Sequence, residues 1–155
     1  MIKYFLGKIT IVFGVLILVS SCQQKSDNGI PVIGFVDAFE DETIGQARIG
    51  FIQALDDLGY SEKDSTVEFI FRNAQGDIPT LTQIISYFNS QDVDLIAANS
   101  TMASIAAIQK SRNIPVFMMV SAEPKNMKVT DSKGNAPKNL FGISETLDYI
   151  DTSLS

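Results

Sequence analysis

The stretch DLIAANSTMAS, residues 94–104, decides the fold. Its first half, 95–98, is a short apolar run without alternation, the pattern of a strand buried on both faces, and such strands belong to parallel sheets covered by helices on either side. At Asn99 the character changes. Three small polar residues, Asn99, Ser100 and Thr101, stand where a helical pattern over 102–110 begins. A buried strand passing directly into a helix is half of a βαβ unit.

Working outward, the same alternation recurs. Residues 31–36 are a short apolar run, and 43–58 places Ile44, Ala47, Phe51, Ala54, Leu55 and Leu58 at helical spacing, with Gly59 as a C-terminal stop. Over 66–71, Val67, Phe69 and Phe71 alternate with polar partners, and 79–88 follows as a second helix with Pro79 in its first turn. A fourth strand is expected over 115–120 and a fifth over 139–143. Strands separated by single helices need crossover connections, so the expected fold class is α/β: a three-layer sandwich with a mainly parallel, doubly wound sheet. The 121–138 loop is polar, rich in Lys, Asn, Gly and Pro, and expected to be mobile. Residues 145–155 read as the start of a further helix with Leu147 and Ile150 on one face.

The 45% apolar content and ten Phe suffice for the core of one domain and argue against disorder. The first 22 residues stand apart from that core. Lys3 and Lys8 precede or interrupt an apolar run that reaches Val19, which is too short to span a bilayer and reads as a signal peptide. Cys22 is the only cysteine, so no internal disulfide forms. The sequence Val19-Ser20-Ser21-Cys22 resembles a bacterial lipobox, with Cys22 as the lipidated residue; the alternative is a Cys that happens to end a signal peptide. A lipobox implies attachment to a membrane face through acyl chains, with 23–30 as a polar tether. Removing residues 1–22 takes two of the twelve basic and none of the eighteen acidic residues, changing the formal charge from −6 to −8. Nucleic acid is excluded as a partner on that balance.

In an open parallel sheet, ligands bind outside the carboxyl ends of the strands. Four loops lie there: 37–41, 72–77, 99–101 and 121–124. Ser100 or Thr101 is placed to cap the third helix, which accounts for one hydroxyl, while free amides at a positive helix end beside further hydroxyls suit a carboxylate. Asp37, Glu40, Asp41 and Glu42 crowd the first loop. They are candidates for a divalent cation, acid–base work or a receiver-like phosphoacceptor, but acids favoured at a helix start are the better reading. Phe39 among them is either a small core plug or a platform for a ligand ring. The sequence contains no His, and no Gly-rich phosphate loop follows a strand, so catalysis is not expected and no cofactor or metal is required.

The order of segments resembles the ABC transporter substrate-binding lipoproteins of the tryptophan/tyrosine type, which have the type I periplasmic binding fold. The residues that carry it are GFIQAL (50–55) with LGY (58–60), RNAQGD (72–77), VDLIA (93–97), Thr101 with Ala103, IPVF (114–117), Glu123-Pro124 and NLFGIS (139–144). The resemblance implies capture of a small solute, often an amino acid, outside the cytoplasmic membrane and delivery to an ABC permease with a cytoplasmic ATPase. It also implies ligand-binding roles: Ser100, Thr101 and the Met102 amide on a carboxylate, Phe39 and residues near Ser121 and Glu123 on the remainder, and Asp37 or Glu123 on an ammonium group. The family more often has Asp where Glu123 stands and Pro where Met102 stands, which points to a different ligand. It also has a second lobe, so 31–144 is expected to be one lobe and 145–155 the beginning of a crossover toward the other. The competing reading is a single-domain surface lipoprotein that docks another protein; a small hydrolase is disfavoured by the absence of His.

Overall fold

The computed structural model describes residues 29–145. The signal peptide, Cys22, most of the tether and the 146–155 tail lie outside the described residues. Elements follow in the order β1 (Val32–Asp37), α1 (Glu42–Asp57), β2 (Glu68–Asn73), α2 (Ile78–Ser90), β3 (Leu95–Asn99), α3 (Thr101–Lys110), β4 (Val116–Ala122) and β5 (Leu140–Glu145). The five strands form one sheet in the order β2-β1-β3-β4-β5, and every neighbouring pair is parallel. Strand order reverses between β1 and β3, where Asp37 and Asn99 are paired in register at the carboxyl end.

Local chemistry accounts for the element boundaries. Asp41, Asp77 and Ser100 cap the three helices by accepting from the amides of Ile44, Thr80 and Ala103 at 3.0, 2.7 and 3.2 Å. Helix α1 ends in a Schellman arrangement: the Gly59 amide donates to Asp56 O and the Tyr60 amide to Leu55 O, with Gly59 at φ +89°. Strand β2 starts two residues later than its alternation predicts. Thr66 is held in the preceding turn, its Oγ1 accepting from the Ser61 amide and donating to Gly59 O.

Helix α1 covers one face of the sheet, and α2 with α3 covers the other. Phe88, Leu81, Ile85, Ile96, Ala98, Ala103, Ala107 and Val116 pack beneath α2 and α3. The ring of Phe88 sits against Gly34, where a Cβ would come within 2.9 Å of it. Beneath α1 lie Ile33, Phe35, Ala97 and Met119, with Phe35 stacked on Phe71 at 5.0 Å and Phe51 against Phe117 at 4.8 Å. Full burial of a side chain such as Phe35 contributes roughly 1.5–3 kcal/mol. Gly142 has φ +129° and lies so close to β4 that a Cβ would collide with the Met118 carbonyl. The β4–β5 ladder slips register between Met118 and Ser121. The 121–138 loop is tied down: Met127 is buried, Val129 packs on the core, and Asp131 accepts from the amides of Lys133 and Asn135.

Candidate functional site

The polar residues that end β3 each have a distinct partner. Asn99 is fully buried and its Nδ2 donates to Asp37 Oδ1 at 2.9 Å and to Ile44 O at 2.8 Å, tying β3 to β1 and to the start of α1. Its Oδ1 is buried without a partner. Ser100 caps α3. Thr101 Oγ1 accepts from the Ala122 amide at 2.9 Å, fastening the first turn of α3 to the end of β4. An accepting hydroxyl keeps its own proton to give. Among the described residues neither the Ser100 nor the Thr101 proton has an acceptor.

Ser100 occupies φ +131° and ψ 161°, a region that side chains other than Gly enter at a cost on the order of 1–3 kcal/mol. The strained residue sits where the chain turns from buried strand into helix, and the first-turn amides of Thr101 and Met102, at the positive end of α3, are among those a helix leaves without an intrahelical partner. The opening here is a cleft of about 510 Å³ lined by Phe39, Ile44, Ser100, Thr101, Met102, Ile105 and Val120. Phe39 and Met102 are 38% and 39% exposed, so Phe39 is a wall of the cleft and not a core plug. Two hydroxyls and two amides at the base of apolar walls suit a small ligand with one anionic end and an apolar body.

The other predicted residues stand differently. Asp37 is buried and already engaged, with Asn99 on one oxygen and an ion pair to Arg48 on the other. It is therefore not open to an incoming ammonium group as expected. Arg48 also lies over the Phe71 ring at 5.8 Å. Ser121 is 2% exposed and its hydroxyl lies 2.6 Å from that of Ser104, so it faces the helix and not the cleft. The reason is that β4 runs on through Ala122 with a slipped register, whereas the sequence pattern stops it at Val120. Glu123 follows β4 and is half-buried; it is not among the residues that line the cleft, and its carboxylate has no partner among the described residues. Of the acids in the first loop, Asp41 is a helix cap and Glu42 lies in the first turn of α1. Asp77, capping α2, is held below the ordinary carboxylate range by hydrogen bonds from the Thr80 side chain and then its amide.

Three contributors escaped the sequence reading as site residues. Arg48 is the only basic residue of α1, which is the one signal it offers. Ser104 hides among small helix residues, and Asn73 lines a shallow depression with Asp37, Phe39 and Arg48 at the end of β2.

The model of the family described as ABC transporter substrate binding protein matches residues 30–153. The tyrosine-binding protein of Clostridioides difficile (strain R20291) is 36% identical over 122 residues, which are 79% of this chain and 35% of that protein. The chain thus spans about a third of the length of that curated relative. Among solved structures, the ligand-free, open form of a substrate binding protein with adhesive properties from Clostridium difficile superposes with a TM-score of 0.69 at 29% identity, covering 77% of this chain and 41% of that one. An ABC domain in complex with L-Trp from Streptococcus pneumonia superposes with a TM-score of 0.66 at 21% identity over 74% and 38% of the two chains, a likeness of fold. The sheet and its three helices are one α/β lobe of a type I periplasmic binding fold.

Proposed function

The chain belongs to the family of ABC transporter substrate binding proteins, and from that premise we propose that it captures a small amino-acid-like carboxylate for an ABC importer. The observation that carries this reading is the α3 N-terminus, where Ser100 and Thr101 hold hydroxyl protons without an acceptor among the described residues beside first-turn amides, at a cleft walled by Phe39 and Met102. A carboxylate seated there takes charge-assisted hydrogen bonds and the favourable end of the helix dipole. Phe39 and Met102 contact its apolar body, and Glu123, whose carboxylate is unengaged, is the acid available to an ammonium group once a second lobe closes over it. Asp37 and Ser121 act from behind the cleft. The relative that binds tyrosine supports an amino acid as the solute class.

The same proposal places the protein outside the cytoplasmic membrane, held by a lipid on Cys22 after removal of residues 1–22, with an ABC permease and its ATPase as partners and residues 145–155 leading to a second lobe. Affinity in a two-lobed binder comes from closure around the ligand, so this lobe alone binds weakly. The test is titration of the full chain with L-tyrosine, following amide shifts of residues 99–103. Saturable shifts there, lost in Ser100→Ala/Thr101→Ala, support the reading; equal response in the double variant would overturn the cradle.

A second reading, docking of another protein, is favoured by one observation. Between α1 and β4–β5 runs an apolar groove of about 470 Å³ lined by Phe51, Leu55, Leu58, Phe117, Met119 and Ile143. The structural relative described as having adhesive properties is in keeping with it.

A further inference from the structure

Behind the cleft, a line of buried hydroxyls runs from β4 through α3 to the residue that caps it. Ser104 has no exposed surface and Ser121 has 2%. Ser104 Oγ lies 2.9 Å from Ser100 O and 2.6 Å from Ser121 Oγ. A serine has one proton to give. Ser104 spends its proton on the Ser100 carbonyl, the acceptor with none of its own, so Ser121 must be the donor in the second bond. The direction of the chain is thereby settled: Ser121 O–H to Ser104 O–H to Ser100 C=O.

The Ser100 carbonyl also accepts from the Ser104 amide at 3.0 Å, so it carries two donors. That carbonyl and the Thr101 amide belong to the same peptide group. In a trans peptide the two point in opposite directions, and no peptide in the described chain is cis. With the carbonyl turned along α3 to Ser104, the Thr101 N–H points the opposite way, out of the amino end of the helix, whose first residues line the cleft. Hydrogen bonds in series polarise one another, and a carbonyl loaded by two donors makes the N–H of its own peptide a stronger donor.

We propose that Ser104 and Ser121 are positioning residues of the anion cradle: their hydroxyl relay holds the Ser100–Thr101 peptide in its strained orientation and sharpens the Thr101 N–H toward a ligand carboxylate, without either side chain touching the ligand. The inference deepens the solute-binding reading and rests on it. It also gives Ser121, expected to be a ligand contact, a different task.

The experiment compares Ser104→Ala, Ser104→Ala/Ser121→Ala and Ser104→Thr in the full 155-residue chain in detergent micelles, with L-tyrosine as the probe. Ser104→Ala strands the Ser121 hydroxyl in the core and lowers both stability and affinity. The double variant removes that stranded group and recovers stability, since apolar replacement of both partners is nearly neutral. Its affinity stays about fivefold low, the worth of one net hydrogen bond, because the Ser100 carbonyl still lacks its hydroxyl donor. Ser104→Thr keeps the donor and restores binding. A double variant that is stable and binds as tightly as the unaltered chain overturns the proposal, as does affinity that merely follows stability across the three. A second readout needs no ligand: the Thr101 amide proton in the free chain moves upfield in the double variant, and an unmoved resonance also overturns the relay. If the unaltered chain ignores L-tyrosine while the Thr101 resonance moves as expected, the relay stands and the solute assignment for that probe is what fails.

Discussion

The two ends of the sheet both bury polar side chains, but they use them differently. At the amino end, Asn139 Nδ2 donates to Ser111 O and Ile114 O, Ser111 Oγ to Asn89 Oδ1, and Asn89 Nδ2 to Ile85 O and Lys110 O. Every side-chain amide proton of that network is spent, on a carbonyl of α2 or on the loops around it, and the nearby positive φ, +54° at Asp92, lies in the ordinary left-handed region that Asp tolerates. At the carboxyl end, Asn99 Oδ1 is buried without a partner, two hydroxyls keep protons facing a cleft, and Ser100 sits in a conformation that side chains avoid. A saturated polar network stabilises a fold; one with residual capacity at a strained turn is suited to receive something. Burial of polar groups alone does not separate structure from function, whereas counting the bonds left to make does.

The largest effect expected is at the carboxyl end. Asp37→Ala leaves Arg48 and Asn99 facing a lost partner, and breaking a buried pair from one side costs about 3–5 kcal/mol, a range to be taken at its low end because the Arg48 side chain is one-third exposed. Urea unfolding measures it; a loss below about 1 kcal/mol would mean that the pair is not what anchors this end. Next comes the control from the opposite end. Asn139→Ala forfeits two hydrogen bonds worth about 1 kcal/mol each, yet L-tyrosine affinity should not change. Coupling between that substitution and binding would break the distinction between the two ends. Thr101→Val is expected to invert this pattern. It costs about 1 kcal/mol of stability, from the Ala122 amide left without its acceptor, but weakens L-tyrosine binding about tenfold through loss of a charge-assisted bond.

How much of this was legible follows from the range of the interactions. Strand–helix alternation, a cap at Ser100 or Thr101, acids at the start of α1 and the Gly59 stop depend on neighbours within a few residues, and the element order reads directly from them; the caps at Asp41 and Asp77 are seen only in the structure. The placement of Ser100, Thr101, Phe39 and Met102 on one cleft follows from that order and the rule for parallel sheets. The engagement of Asp37 is not legible, because its partners are 11 and 62 residues away, beyond any local pattern. For Ser121 the sequence offers only a strand end at Val120; the register slip after Met118, which brings its hydroxyl against Ser104, leaves no local mark. Ser104 carries no local mark at all; a small helix residue becomes a relay only when a strand distant in sequence supplies the second hydroxyl.

The smallest effect expected tests whether location at the carboxyl end is enough to make a polar group part of the site. Asp77 caps α2 there, as Ser100 caps α3, but its carboxylate is fully exposed and taken up by Thr80. Those bonds favour the charged form, so the carboxyl titrates lower in the folded chain than in the unfolded one. A depressed folded value contributes stability that is complete above the ordinary carboxylate range and is lost as the pH falls through the lowered value. Asp77→Ala should therefore destabilise the chain slightly near neutral pH, and the difference in urea midpoint should shrink in acid. Because Thr80 already occupies the cap, L-tyrosine binding should be indifferent to the change. If Asp77→Ala weakens binding as Thr101→Val does, then the criterion of unspent hydrogen-bonding capacity is wrong, and the ligand reaches across more of the carboxyl end than the α3 cleft.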